Sequence, residues 1–146
     1  MAINNINRIL VVEDNENDLE LTMDALAEHN IANFIDIAKD GEEALDYLLK
    51  RGKFKTRESG NPVVILLDLK LPKVGGLEAL EQIKKTDSLK KIPVVILTSS
   101  KEESDIISSY SYGVNAYVVK PVEFDKFIEA IKHLGVFWAL LNEPPK

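Results

Sequence analysis

Chemically reactive side chains follow four short apolar runs of the chain, each at the point where the run ends. The runs are 9–12, 63–67, 94–97 and 116–119, and the side chains that follow them are Glu13 with Asp14, Asp68, Thr98 and Lys120. Short β-branched runs of this kind are typical of fully buried strands, whose last residues emerge together at one edge of a sheet. Carboxylates, a hydroxyl group and an amine at one edge would suit a divalent cation and a phosphoryl group.

Strand-like runs alternate with helical patterns along the chain. Strands are predicted at about 8–13, 34–38, 63–68 and 116–119, and a further strand begins at 93. Helices are predicted at about 16–29 and 102–112, and a last helix begins near 123. Apolar residues at helical spacing predict two further helices, one through Ala44 and Leu48 and one through Leu77 and Ile83. Parallel strands need crossovers, which are nearly always right-handed, so the pattern predicts a parallel sheet with helices on both faces. Ligands of such sheets sit at the carboxyl ends of the strands, where the four runs end.

The composition is that of an ordinary single domain. The chain has 146 residues, of which 45% are hydrophobic and 29% charged, and it contains no cysteine. No apolar stretch of the sequence approaches the roughly 20 residues that span a bilayer, and residues 1–5 lack the features of a secretory signal. The missing cysteines exclude disulfides and thiolate chemistry and agree with a reducing compartment. We therefore expect one domain over 1–146, in the cytoplasm and without a membrane segment.

The overall charge argues against a nucleic-acid-binding function. The net charge of −6 contrasts with the basic face that a DNA or RNA backbone requires. One local exception is a basic cluster between two predicted elements, formed by Lys50, Arg51, Lys53, Lys55 and Arg57. Short charge runs are usually solvated surface, so we interpret the cluster as a loop, with a docking patch as the alternative.

The chain resembles the bacterial response-regulator receiver domain in four motifs that occur in the family's order. The motifs are E-D-N at 13–15, L-L-D-L-K-L-P at 66–72, I-L-T-S-S at 96–100 and Y-V-V-K-P at 117–121. The resemblance covers about 8–131 and implies a flavodoxin-like (βα)5 receiver fold with strand order 2-1-3-4-5. The segment at 51–62 and a tail with Phe137 and Trp138 further resemble the small stand-alone regulators paired with phytochrome-type sensor kinases.

The resemblance implies a phosphoryl-accepting site. Asp68 would take the phosphoryl group from a sensor histidine kinase, as a carboxylate nucleophile that becomes an aspartyl phosphate. The implied ligands of Mg²⁺ are Glu13, Asp14, Asp68 and the backbone carbonyl of Lys70, oxygen donors that suit this hard ion. Lys120 would bind a phosphoryl oxygen as a point charge. The alternatives are helix capping or turn formation for the acids and a plain surface position for the lysine.

Two further residues would make the site a switch. By the resemblance, Thr98 would donate its hydroxyl to the phosphoryl group, and Tyr117 would fill the space that Thr98 leaves. Plain core packing of Tyr117 is the alternative, because an aromatic side chain on a strand usually just packs. The resemblance also implies a cis peptide bond between Lys120 and Pro121, which would aim the amine inward.

Apolar residues near the C-terminus indicate a partner surface. The tail beyond 131 contains Phe137 and Trp138, and Ile106 and Tyr110 can join the same surface. We expect no output domain after the receiver, so the signal would pass through changed protein contacts, with a homodimer as the first interpretation. A tail that folds back over its own domain is the alternative.

Two other protein classes share parts of this pattern. An aspartyl-phosphate hydrolase of the haloacid dehalogenase type needs a second acid two residues after the nucleophile, where this chain has Lys70. A flavodoxin-like cofactor binder needs a loop rich in hydroxyl groups and glycine after the first strand, where this chain has Glu13, Asp14 and Asn15. We therefore predict a signalling receiver rather than a conventional enzyme, one that promotes its own aspartyl phosphorylation and dephosphorylation.

Overall fold

Five parallel strands form one sheet, and helices connect them. The computed structural model describes residues 8–28, 35–58, 60–71, 73–99 and 102–120, together with positions 125, 126, 129 and 132, which are helical. The strands are β1 (Ile9–Val12), β2 (Ile35–Ala38), β3 (Val64–Leu67), β4 (Val94–Thr98) and β5 (Ala116–Val119). The helices are α1 (Glu16–Glu28), α2 (Gly41–Leu49), α3 (Gly76–Lys85) and α4 (Glu103–Ser111). Within these ranges, no helix is long and apolar enough to cross a membrane.

The sheet has the order β2-β1-β3-β4-β5, and each neighbouring pair of strands is parallel. The chain runs from β1 outward to β2 and then back past β1 to β3, β4 and β5. Right-handed crossovers therefore put α1 on one face and α2, α3 and α4 on the other. The predicted order 2-1-3-4-5 and the helices on both faces are confirmed. The direction reverses between β1 and β3, which is where sheets of this type bind ligands.

The three inner strands of this sheet, β1, β3 and β4, are buried on both faces. Leu10 of β1 packs into a core with Leu45 of α2 and Leu80 of α3. The alternate residues Ile9 and Val11 point to the opposite face and are only 2% exposed. This double burial explains why these three strands carry unbroken apolar runs, whereas the edge strand β2 alternates in the sequence Ile-Asp-Ile-Ala.

The first and third strands end just before their acidic residues. β1 and β3 stop one residue earlier than predicted, so Glu13 and Asp68 begin the loops that follow. Their backbones are still held by neighbouring strands, because the Glu13 N–H donates to the Ala38 carbonyl at 3.0 Å and the Asp68 N–H donates to the Val12 carbonyl at 3.1 Å. The sheet therefore fixes the backbone positions of both acids.

The basic segment, interpreted from sequence as a solvated loop, packs against α2. It begins with a short 3-10 helix, Gly52–Phe54. The guanidinium carbon of Arg57 lies 4.1 Å from the ring centre of Tyr47, and its Nε donates to the Tyr47 carbonyl at 3.0 Å. Arg51 and Lys53 form ion pairs with acids of α2 at 3.2 and 3.4 Å. The segment is thus held against the domain, and part of its positive charge is neutralised internally, which weakens the docking-patch alternative.

Candidate functional site

Three carboxylates meet where β1 and β3 end. One oxygen each from Glu13, Asp14 and Asp68 lies within 4.8 Å of the other two. Glu13 and Asp68 are buried, with exposed fractions of 4% and 8%, whereas Asp14 is exposed. Carboxylates crowded in this way repel one another, and oxygen donors are the ligands that hard divalent cations prefer. The donor set therefore fits a divalent metal ion.

Lys120 joins these acids from the edge of the sheet opposite β2. It directly follows β5, and its N–H donates to the Thr98 carbonyl at 2.8 Å. Its ammonium donates to Glu13 and, at 3.4 Å, to Asp68. A further hydrogen bond, of 3.1 Å, goes to Asp18 on α1. The side chain of the lysine is only 10% exposed, so the ammonium is surrounded by carboxylates and largely shielded from water.

Burial and charge act against each other within this cluster. Burial raises the pKa of the Glu13 carboxyl group to about 7, and the charge of Asp68 adds to the rise against the opposing hydrogen bond from Lys120. Burial alone would lower the pKa of Lys120, but its hydrogen bond to Glu13 and the charge of Asp68 outweigh this effect and raise it. Lys120 is therefore an ammonium at neutral pH, and a cation bound at the carboxylates would favour the ionised form of Glu13.

Two glycines hold the loop after Asp68 in place. Gly76 begins α3, and a Cβ atom there would lie 2.3 Å from the Asp68 carbonyl oxygen. Gly41 begins α2, and a Cβ atom there would lie 2.1 Å from the carbonyl oxygen of Val74. Only a residue without a Cβ atom permits such close approaches. The loop between Asp68 and α3 is thus packed against the first residues of α2 and α3, which fixes the backbone that carries Asp68.

Sequence reasoning missed the roles of Asp18, Gly41 and Gly76, and only the two glycines left a signal. Asp18 stands three residues after Asn15, which caps α1, a position that predicts a bond back to the cap residue and not one to Lys120. Glycine is enriched just after the end of a helix rather than at its first position. A glycine as the first residue of both α2 and α3 therefore indicates a close backbone approach.

The residues predicted to switch lie on neighbouring strands. Thr98 ends β4 and is fully buried, whereas Tyr117 on β5 is half-buried and packs against the core. Tyr117 is paired with Ile96 in the register of the sheet. Lys70, whose carbonyl is an expected metal ligand, donates its N–H to Asp68 at 3.3 Å. The switching and metal-binding roles of these residues stay predictions.

The predicted partner surface is described only in part. Three of the residues named from sequence lie outside the described ranges, namely Pro121, Phe137 and Trp138, and with them the predicted cis peptide bond. On α4, Ile106 is half-buried, while Ile107 and Tyr110 are 57% and 52% exposed. The apolar surface of α4 is therefore formed by Ile107 and Tyr110 more than by Ile106.

A family model covers the fold and the acidic cluster together. Residues 9–132 match the response regulator receiver domain. The chain belongs to the response regulator receiver family. The matched range of this receiver contains Glu13, Asp14, Asp68 and Lys120. The protein is thus a response regulator of two-component signalling, as the motifs at its strand ends predict.

Two curated relatives match most of the length of this receiver. The "Response regulator Rcp1" of Synechocystis sp. is 38% identical over 130 residues, which is 89% of this chain and 87% of the relative. The "Probable methanogenesis regulatory protein FilR2" of Methanothrix harundinacea is 39% identical over 140 residues, which is 94% of this chain and 86% of the relative.

Solved structures of response regulators share the fold of this receiver. The bacteriophytochrome response regulator RtBRR is 59% identical with a TM-score of 0.85, over 96% of this chain and 84% of that one. The Mn²⁺-bound form of Rcp1 is 36% identical with a TM-score of 0.76, over 96% and 99% of the two chains. The phosphorylated cyanobacterial phytochrome response regulator RcpA is 37% identical with a TM-score of 0.76, over the same shares.

Proposed function

We propose that this receiver accepts a phosphoryl group on Asp68 from a sensor histidine kinase and passes the signal on through changed protein contacts. The observation that carries the proposal is the meeting of Lys120 and Asp68 at 3.4 Å although they are 52 residues apart in sequence. Glu13 and Asp14 complete a cluster around the same carboxylate. The phosphorylated state of the similar regulator RcpA supports this chemistry.

Asp68 supplies the nucleophile in the proposed reaction. A carboxylate oxygen of Asp68 attacks phosphorus, so a P–O bond forms as the P–N bond of the donor phosphohistidine breaks. The electron pair of the broken bond stays on the histidine nitrogen. Both oxygens of Asp68 are oriented, one by the Lys70 N–H at 3.3 Å and the other by the Lys120 ammonium at 3.4 Å.

Lys120 and a metal ion held by the acidic cluster would balance the negative charge of the transferred group. The ammonium of Lys120 already lies beside Asp68, so it can bind a phosphoryl oxygen without a large movement. The residues that would hold Mg²⁺ are Glu13, Asp14, Asp68 and the backbone carbonyl of Lys70. When bound there, the ion supplies positive charge to the phosphoryl oxygens. The Mn²⁺-bound form of Rcp1 supports a divalent ion at this kind of site.

Thr98 and Tyr117 form the proposed route from the site to the surface. The hydroxyl of Thr98 would turn to the phosphoryl group, and Tyr117 would fill the space that it leaves. Thr98 is fully buried at the end of β4, next to the strand that leads to Asp68, and Tyr117 is half-buried on β5. A charge added at Asp68 would thereby alter the surface around β4 and β5.

A phytochrome-type sensor kinase is the proposed donor. The support is the 59% identity to RtBRR, a bacteriophytochrome response regulator. RcpA, a regulator of a cyanobacterial phytochrome, supports the same pairing at 37% identity. FilR2, at 39% identity, is named as a methanogenesis regulatory protein. We favour a phytochrome-type donor because the identity to RtBRR is higher. The bacterial origin and the cytoplasmic location stay predictions.

Mg²⁺ is expected to stabilise the folded receiver, because the carboxylates that bind it meet only in the folded state. At 100 times its dissociation constant, the ion should raise the free energy of unfolding by about 2.7 kcal/mol. Asp14→Asn should remove most of this gain while sparing the core, since Asp14 is exposed. Urea unfolding with Mg²⁺ and with chelator, at equal ionic strength, measures the difference. Equal stabilisation of the variant would contradict the assigned ligands.

We also propose that phosphorylation promotes a homodimer through α4 and the tail containing Phe137 and Trp138. Ile107 and Tyr110 expose 57% and 52% of their surface on α4. Replacing both with Ser is expected to weaken dimerisation by about tenfold or more, measured by sedimentation of the phosphorylated protein. Leu21→Ser is the matched control, because Leu21 is 66% exposed on α1. Equal weakening by the control would reject the role of α4.

A further inference from the structure

One acidic partner of the Lys120 ammonium does not belong to the cluster that would hold the metal. That cluster consists of Glu13, Asp14 and Asp68. Asp18 lies in the first turn of α1 and accepts a hydrogen bond of 3.1 Å from Lys120. Its side chain is 40% exposed, compared with 10% for the lysine. Asp18 therefore reaches the ammonium from the partly solvated side of the site.

Local hydrogen bonding at the start of α1 leaves the Asp18 carboxylate available for this contact. The side-chain oxygen of Asn15 accepts a hydrogen bond from the Asp18 N–H at 2.9 Å and so caps the helix. An acid at this helical position usually accepts the N–H of the cap residue in return. Here the Asn15 N–H donates to Glu13 instead, at 3.3 Å. The cap thus fixes the backbone of Asp18 while its carboxylate binds Lys120.

The acids around Lys120 differ in what else they must do. Glu13 and Asp68 would share their oxygens between Lys120 and a metal ion, and Asp68 would also receive the phosphoryl group. We propose that Asp18 is a positioning residue that holds the Lys120 ammonium beside Asp68 throughout phosphoryl transfer. This inference rests on the proposed function. In it, Asp18 affects the reaction only by holding the Lys120 ammonium in place.

The effect of Asp18 on phosphoryl transfer can be measured with acetyl phosphate as the phosphoryl donor. In that reaction a P–O bond to Asp68 forms while the P–O bond to acetate breaks, and acetate leaves with the electron pair. Lys120 must stabilise the negative charge of the transferred group in the transition state. Asp18→Asn keeps the size of the side chain and removes its charge. We expect the labelling rate at saturating Mg²⁺ to fall by about threefold to tenfold.

Matched variants separate positioning from a general effect of charge or folding. Asp24→Asn removes the same charge from an exposed position of the same helix and is expected to leave the rate unchanged. Asp18→Glu keeps the charge and should restore most of the rate. In a Lys120→Gln background, adding Asp18→Asn should change the rate by less than about twofold, because the group on which Asp18 acts has been removed.

The ammonium of Lys120 gives a second readout that does not depend on phosphorylation. Its ¹⁵N–¹H NMR signal should be visible in the unmodified protein and in Asp18→Glu, because a hydrogen-bonded, shielded ammonium exchanges slowly with water. The signal should be lost or broadened in Asp18→Asn, while the backbone spectrum shows that the variant is folded.

The outcomes distinguish this inference from the proposed function. An unmodified protein that is not labelled would overturn the proposed function and this inference with it. Normal labelling of the unmodified protein, combined with an unchanged rate or a higher rate in Asp18→Asn, would overturn only the role of Asp18. An unchanged ammonium signal, an equal loss in Asp24→Asn or a full effect in the Lys120→Gln background would do the same.

Discussion

Replacing Asp68 with asparagine is expected to leave the receiver folded and to abolish its phosphorylation. The amide lacks the anionic oxygen that attacks phosphorus, so the labelling rate should fall by about a thousandfold or more. The amide oxygen can still accept the Lys70 N–H that now bonds to Asp68 at 3.3 Å, so the loop keeps its shape. Intact mass after incubation with acetyl phosphate and Mg²⁺ should show one phosphoryl group on the unmodified protein and none on the variant.

Asp40→Asn provides the matched control for this experiment. Asp40 is also a buried aspartate beyond the end of a strand, with an exposed fraction of 9%, and it caps α2 through the Glu43 N–H at 2.7 Å. Asparagine caps helices equally well, so this variant should fold normally and should still be labelled. Labelling that persists in Asp68→Asn would show that the acceptor is another residue.

Replacing Gly76 with alanine is expected to destabilise the receiver strongly, because the added methyl group has no room. The new Cβ atom would lie 2.3 Å from the Asp68 carbonyl oxygen and 2.5 Å from the Leu69 Cα atom. Both are backbone atoms, which cannot turn aside as a flexible side chain can. The free energy of unfolding, measured with urea, should fall by about 3 kcal/mol. The displaced loop should also slow labelling of Asp68.

The adjacent Gly75 makes this prediction sharply testable. A Cβ atom at Gly75 would meet no atom within 4 Å, and its φ of −69° suits any residue. Gly75→Ala should therefore cost less than about 1 kcal/mol, which reflects only the poorer capping of α3 by alanine. Similar losses of stability in the two variants would mean that close backbone contact does not set the requirement for glycine at Gly76.

The sheet and the carboxylates at its edge were predictable because their signals are local. A buried parallel strand needs an unbroken apolar run, and the polar residue that follows the run lies just beyond the hydrogen-bonded part of the strand. Glu13, Asp14 and Asp68 each end such a run, and Lys120 ends another. The family resemblance then added the order of the strands, which the local pattern alone did not contain.

The contacts that complete the site depend on distances between elements that no local pattern encodes. Asp18 and Lys120 are 102 residues apart in sequence, and their hydrogen bond depends on how α1 lies against the end of β5. A glycine at the start of α3 indicates a close approach, but that the partner of Gly76 is the backbone of Asp68 follows only from the spacing between these elements. The packing of Arg57 over Tyr47 was missed for another reason, because composition alone suggested a solvated loop.

The position of Lys120 late in the chain has a consequence for synthesis on the ribosome. Its ammonium meets Glu13 across 107 residues of sequence and Asp68 across 52. A nascent chain therefore exposes these carboxylates well before their counter-charge has been made. Contacts of such long range form late, so we expect the functional centre to form only after β5 has joined the sheet. Until then, the growing polypeptide would carry these anionic groups without the positive charge of Lys120.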